Sequence, residues 1–163
     1  MSSIINIVIL GDKGVGKTTF LQQLEYGFYN KDHCPTKGAY EYEYDDCHFF
    51  DITVNSDITI DQYNDIKTID DFTEKLCMYD IEDEVDGEKT IDLFIIMTND
   101  EEKSHYFQTM WYEMIRYSSN IPIIKVHNIF TKNNAPPDTT CTISVKYNDN
   151  IRILLDMIYN IFP

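Results

Sequence analysis

Positive charge is scarce in this 163-residue chain: 13 lysines and arginines face 28 aspartates and glutamates, a formal net charge of −15. That balance excludes a protein that grips nucleic acid or anionic lipid over a broad basic face. Cysteine is sparse too. Cys34, Cys47, Cys77 and Cys141 stand far apart, with no Cys-x-x-Cys pair and no histidine at zinc-ligand spacing. The expectation is four free thiols in a reducing compartment rather than a zinc site or a disulfide scaffold. No apolar run approaches membrane-spanning length. Met1-Ser2-Ser3 offers neither a basic stretch nor a myristoylation glycine, and residues 159–163 hold no cysteine to lipidate. These absences predict a soluble, cytoplasmic protein with no membrane anchor.

What is present is apolar and aromatic. Hydrophobic residues make up 43% of the chain and aromatics 13%, enough to drive collapse, so a disordered acidic tail is excluded. The length suits a single domain over residues 1–163. Residues 4–10 form an apolar run of strand length with Asn6 as its one polar break, which suits a strand buried on both faces. A helical pattern starts near Lys17 and carries Phe20, Leu21 and Leu24 on one side. Residues 39–44 alternate Tyr and Glu, Asp45-Asp46 can turn, and residues 47–52 can return as a hairpin partner. Residues 53–90 are the least legible. Asp71 and Glu74 there suggest a capping box for a short helix with Phe72, Leu76 and Tyr79, while residues 75–80 can also be read as a strand.

Beyond that stretch, buried strands are predicted at 91–97, 121–126 and 141–145. A helix capped by Ser104 carries Phe107, Met110, Trp111 and Met114. A last helix capped by Asn148 or Asp149 carries Ile151, Leu154, Leu155 and Ile158. Strands alternating with helices predict an α/β fold, a mainly parallel sheet with helices on both faces.

Glycine is also rare, yet three of the six cluster at Gly11, Gly14 and Gly16. Gly11-Asp12-Lys13-Gly14-Val15-Gly16-Lys17-Thr18 satisfies G-x-x-x-x-G-K-[ST], and Thr19 follows. The glycines let successive backbone N–H groups turn inward toward phosphate oxygens, and the helix beginning near Lys17 adds its positive dipole end. Lys17 is placed to neutralise the β- and γ-phosphates and Thr18 to ligate Mg²⁺. The loop lies between a predicted strand and a predicted helix, as that chemistry demands.

With this loop in place, residues 11–20 resemble the opening of a Ras-superfamily small GTPase, nearest the Ran and Rab branches. The likeness runs on through Cys34-Pro35-Thr36, where it implies that Thr36 senses Mg²⁺ and the γ-phosphate, and that Tyr29 packs against the base. Residues 93–104 are similar to that family's fourth strand and the turn after it. Residues 121–128 resemble the strand entering the N-K-x-D motif, and Ser144-Val145-Lys146 resembles the S-A-K loop. The resemblance covers about two-thirds of the chain. It implies a P-loop NTPase fold, GTP or GDP with Mg²⁺ as ligands, base and ribose contacts from Tyr29, Asn128, Ser144, Val145 and Lys146, and metal contacts from Thr18, Thr36 and Asp51.

The departures are chemical. Asn128-Ile129-Phe130-Thr131 keeps only the asparagine of N-K-x-D, and a threonine cannot make the paired charge-assisted bonds that select guanine. Too few residues separate Asn128 from Ser144 for the family's intervening helix, and Pro136-Pro137 opposes one. The D-x-x-G motif falls either at Asp51, with Val54 for the glycine and Asn55 at the water-positioning place, or at Asp80, with Asp83 for the glycine. Both registers lose the glycine and the glutamine. Lys13 stands where a bulky side chain obstructs an activating arginine finger, or supplies an internal positive charge of its own.

The expected function is therefore small-GTPase-like nucleotide binding with slow or absent hydrolysis, acting through protein–protein interaction. A pseudo-GTPase that binds no nucleotide is the nearest alternative. A P-loop nucleoside or nucleotide kinase is disfavoured, because Arg116 and Arg152 are the chain's two arginines and both lie in predicted helices. Residues 41–102 hold 21 of the 28 acids and three lysines, a net −18, which leaves the remainder at +3. That segment is either a solvated loop or the face that meets a basic protein partner.

Overall fold

The computed structural model describes residues 3–27, 39–52, 66, 68, 69, 71, 72, 89–129, 139–147 and 149–163. Six strands, β1 (Ile5–Gly11), β2 (Ala39–Tyr44), β3 (Cys47–Ile52), β4 (Leu93–Thr98), β5 (Ile123–Asn128) and β6 (Cys141–Ile143), make one sheet in the order β2-β3-β1-β4-β5-β6. Among the described residues, the helices α1 (Lys17–Tyr26), α2 (Glu102–Ser118) and α3 (Ile151–Ile161) accompany them, and residues 69, 71 and 72 are helical as well. The β2–β3 hairpin is antiparallel and every other pairing is parallel. Asp45 turns the hairpin in the left-handed region, at φ 49°, a conformation aspartate tolerates better than most side chains.

The apolar run at the start of the chain becomes the central strand, buried at every position. Its alternation divides the core. Ile5, Ile7 and Ile9 pack with Phe20 and Leu21 of α1 and with Leu154, Leu155 and Ile158 of α3. Val8 and Leu10 point the other way, toward Trp111, Met114 and Ile115 of α2 and toward Ile66, Ile69 and Phe72. Phe20 meets Phe49 edge-on at 6.1 Å, and Phe72 lies 5.9 Å from both Phe94 and Trp111. Each large apolar side chain so enclosed contributes about 1.5–3 kcal/mol relative to exposure.

The predicted parallel sheet with helices on both faces is the architecture observed, with local shifts at element ends. The second, third and fourth buried strands begin and end at 93–98, 123–128 and 141–143. Ser104 does not cap α2. Glu101 is the cap residue, and the Ser104 hydroxyl, inside the first turn, donates to Glu101 O at 2.7 Å. Asn150, not Asn148 or Asp149, precedes α3, with φ 58°. Near residue 70, the Thr68 hydroxyl accepts the Asp71 N–H at 3.1 Å, so the cap there is Thr68 rather than Asp71. The alternative strand at 75–80 and the missing helix between β5 and β6 lie outside the described residues. Among those described, no helix is long and apolar enough to cross a membrane. Cys47 and Cys141 are free and buried.

Candidate functional site

Because β1, β3, β4, β5 and β6 run parallel, the segments that follow them gather at one edge of the sheet, where ligands of open α/β sheets bind. The loop after β1 is the glycine-rich one. Gly16 has φ 101°, in the region that favours glycine, and it leads directly into α1 at Lys17. Gly11 is required for a different reason: a Cβ there would lie 2.7 Å from Val15 Cγ2 and 2.9 Å from Met97 O. Val15 is fully buried and anchors the loop, with its N–H reaching Asp12 O at 3.3 Å.

Lys17 and Thr18 enter from the first turn of α1. Lys17 Nζ donates to Gly11 O at 2.7 Å and to Asp12 O at 3.3 Å. Burial lowers the Lys17 pKa, while the Asp51 and Asp12 carboxylates oppose that shift and favour its charge. The Thr18 hydroxyl donates to Asp51 Oδ2 at 2.5 Å, and Asp51 is fully buried on β3 opposite Ile9. A hydroxyl and a carboxylate are hard oxygen donors, a set that fits Mg²⁺. Of the two sequence registers, Asp51 is thus the aspartate found beside Thr18; Asp80 lies outside the described residues, as do Tyr29, Thr36, Asn55 and Thr131. Lys13 is exposed.

Asn128, Ser144, Val145 and Lys146, which the sequence resemblance assigns to base and ribose, also lie along this edge. Asn128 is fully buried at the end of β5. Its Nδ2 donates to Val15 O at 3.0 Å, and its Oδ1 accepts the Val145 N–H at 3.1 Å. One side chain thereby links the phosphate-type loop to the loop after β6. Ser144 is buried, and its hydroxyl donates to Ile129 O and accepts the Tyr147 N–H, both at 3.3 Å. Lys146 is exposed, with its ammonium 5.3 Å from the Tyr147 ring.

Sequence reasoning missed two features here. Lys103, in the first turn of α2, approaches the Asp12 carboxylate at 3.6 Å. His127, immediately before Asn128, is fully buried between Thr98 Oγ1 at 2.8 Å and Asp100 Oδ1 at 3.1 Å. A histidine directly after Val126 near the end of a mostly buried strand was the available signal. Away from this edge, Glu41, Glu43 and His48 place three donor atoms within 4.8 Å of one another. The Lys89 ammonium sits 3.3 Å from Glu41 Oε1 and 3.0 Å from His48 Nδ1. A metal-bound histidine donates its second N–H to an acceptor, whereas here that nitrogen faces an ammonium, so the cluster is arranged around the lysine as its cation.

Compared with known proteins, the chain matches no family model and no curated sequence.

Proposed function

We propose that this protein binds a nucleoside triphosphate or diphosphate, GTP or GDP first among them, in the manner of a P-loop small GTPase, with slow or absent hydrolysis. The observation that carries this reading is the junction of Lys17, Thr18 and Asp51. A partly buried ammonium and a buried hydroxyl–carboxylate pair stand at the start of a helix, behind a glycine-rich turn. In this reading Lys17 exchanges its two loop carbonyls for phosphate oxygens, which return a stronger charge-assisted bond. The N–H groups of the loop and of the first turn of α1 orient the phosphates. Thr18 and Asp51 are the groups that would hold Mg²⁺, which when bound neutralises phosphate charge. Asn128 keeps the loops on the phosphate and base sides in register.

Hydrolysis is assigned a minor part because Val54 and Asn55 replace the glycine and glutamine expected after Asp51 in the sequence. The output is then a displayed surface. Exposed Glu41, Glu43 and Asp45 on the β2–β3 hairpin, together with the acids of residues 41–102, suit a basic protein partner.

The test is a titration of GTP, GDP and ATP with Mg²⁺ against wild type and Lys17→Ala, followed by calorimetry and melting temperature. A ligand selective for the folded state raises the melting point. The expected result is a Mg²⁺-dependent rise with guanine nucleotides that Lys17→Ala removes. No loop-dependent shift with any nucleotide would leave the pseudo-GTPase reading in its place.

A further inference from the structure

The connection between β4 and α2, together with the first turn of α2, touches both sides of the candidate site. Lys103 reaches Asp12 in the glycine-rich loop, and Asp100 reaches His127 beside Asn128. The connection itself is closely bonded. Ser104 Oγ accepts the Asn99 N–H at 3.0 Å, Asn99 Oδ1 accepts the Glu101 N–H at 2.9 Å, and His105 Nε2 donates to Asn99 O at 2.8 Å.

His127 is the titratable member of this bracket. Its Nε2 faces a carboxylate and so carries the hydrogen; its Nδ1 is then the acceptor for the Thr98 hydroxyl. Both ring nitrogens are satisfied while the imidazole is neutral. On protonation Nδ1 must donate to Thr98 Oγ1, whose own hydrogen must turn to Val126 O at 3.4 Å, a longer contact. The groups acting on the ring are Asp100, which favours the charge, and His105 on α2, which lies edge-on at 5.7 Å and disfavours it. Burial is the largest influence and lowers the His127 pKa.

We propose that His127 is a proton-sensitive latch acting through Asn128. Neutral, it holds the end of β5 against the β4–α2 connection and keeps Asn128 between Val15 and Val145. Protonated, it releases that strand end and loosens the glycine-rich loop. His127 is a positioning residue in this scheme. It touches no ligand, and its effect on nucleotide affinity rests on the function proposed above.

The test begins without nucleotide. Amide hydrogen exchange, corrected for intrinsic rates, reports the protection of the Val145 N–H that Asn128 holds. An opened state with an ordinary histidine pKa of about 6.5 gains relative population between pH 7.5 and 5.5, by roughly tenfold at most. Protection of Val145 in wild type is expected to fall over that range, by no more than that factor. In His127→Gln, which keeps a donor and an acceptor without titrating, it should stay flat. Asp100→Asn removes the compensating carboxylate and should extend the loss to lower pH, and it serves should His127→Gln fail to fold. Flat protection in wild type, or an unchanged pH slope in His127→Gln, overturns the latch.

Mg²⁺-GTP titrations on the same proteins separate the two proposals. Affinity that weakens on acidification more in wild type than in His127→Gln supports both. Absence of binding at every pH, with pH-dependent Val145 protection intact, removes the nucleotide reading and leaves the latch standing.

Discussion

The two sides of the sheet edge, the one proposed to hold phosphate and the one proposed to hold the base, are built by different means. On the phosphate side, the backbone does most of the work: Gly11 permits the chain to pass against Met97, Gly16 takes a positive φ, and Lys17 and Thr18 follow in the first turn of α1. On the base side, buried side chains do it: Asn128, His127 and Ser144 tie the paired ends of β5 and β6 to the glycine-rich loop, to Asp100 and to one another's loops. A loop shaped by glycines announces itself in sequence, whereas a side-chain bridge is visible only once the strands are placed. The difference also predicts that the two sides fail differently.

Asn128→Ala breaks the comparison outright, because it leaves Val15 O and the Val145 N–H without their buried partner. At about 1–3 kcal/mol for each unsatisfied group, a loss near 3 kcal/mol is expected in urea unfolding, with both loops losing exchange protection. Lys17→Ala acts on one side alone. It should weaken nucleotide binding on the order of a hundredfold, the equivalent of one charge-assisted phosphate bond, and leave protection of Val145 intact by amide exchange. Gly11→Ala probes the backbone contribution. With Val15 Cγ2 and Met97 O inside 3 Å of the new Cβ, overpacking should cost about 1–3 kcal/mol by chemical denaturation.

Acid should act next, through His127. Its folded pKa is lowered, so the unfolded chain binds the proton first, and stability is lost as pH falls below about 6.5. The melting temperature should therefore drop between pH 7 and 5.5 by more in wild type than in His127→Gln. Smallest of all is Lys103→Ala. Lys103 is mostly exposed and 3.6 Å from Asp12, and exposed pairs contribute about 0–1 kcal/mol. A change above that range would mean that the β4–α2 connection bears on the phosphate side more strongly than a screened ion pair allows.

Much of the frame was legible in the chain. The apolar run at 4–10 and the Tyr-Glu alternation at 39–44 each specify a strand by period and length, and both stand where expected. Hydrophobic spacing placed the buried face of α3 at Ile151, Leu154, Leu155 and Ile158. Helix starts were less legible. Ser104 resembles a cap, but Glu101 and Asn99 ahead of it already take up the turn, so the serine bonds from inside the first turn. Within the candidate site, Lys17, Thr18, Asp51, Asn128 and Val145 were named from sequence and do lie along one edge. Asp100 and His127 were not, because they lie 27 positions apart and meet only through the pairing of β4 with β5.

The strand order has a consequence for how the protein is made. β1 pairs with β3 on one flank and with β4 on the other, Ile7 lying opposite both Phe49 and Leu93. Parallel partners so distant in sequence close large loops before any contact rewards them, a slow route in folding. At roughly 5–20 residues per second on the ribosome, the whole of β4 emerges several seconds after β1. For that interval one flank of a largely apolar strand stands open to any other chain that offers an edge. The same centrality that buries β1 at every position of the finished sheet leaves it without its second neighbour for that part of synthesis.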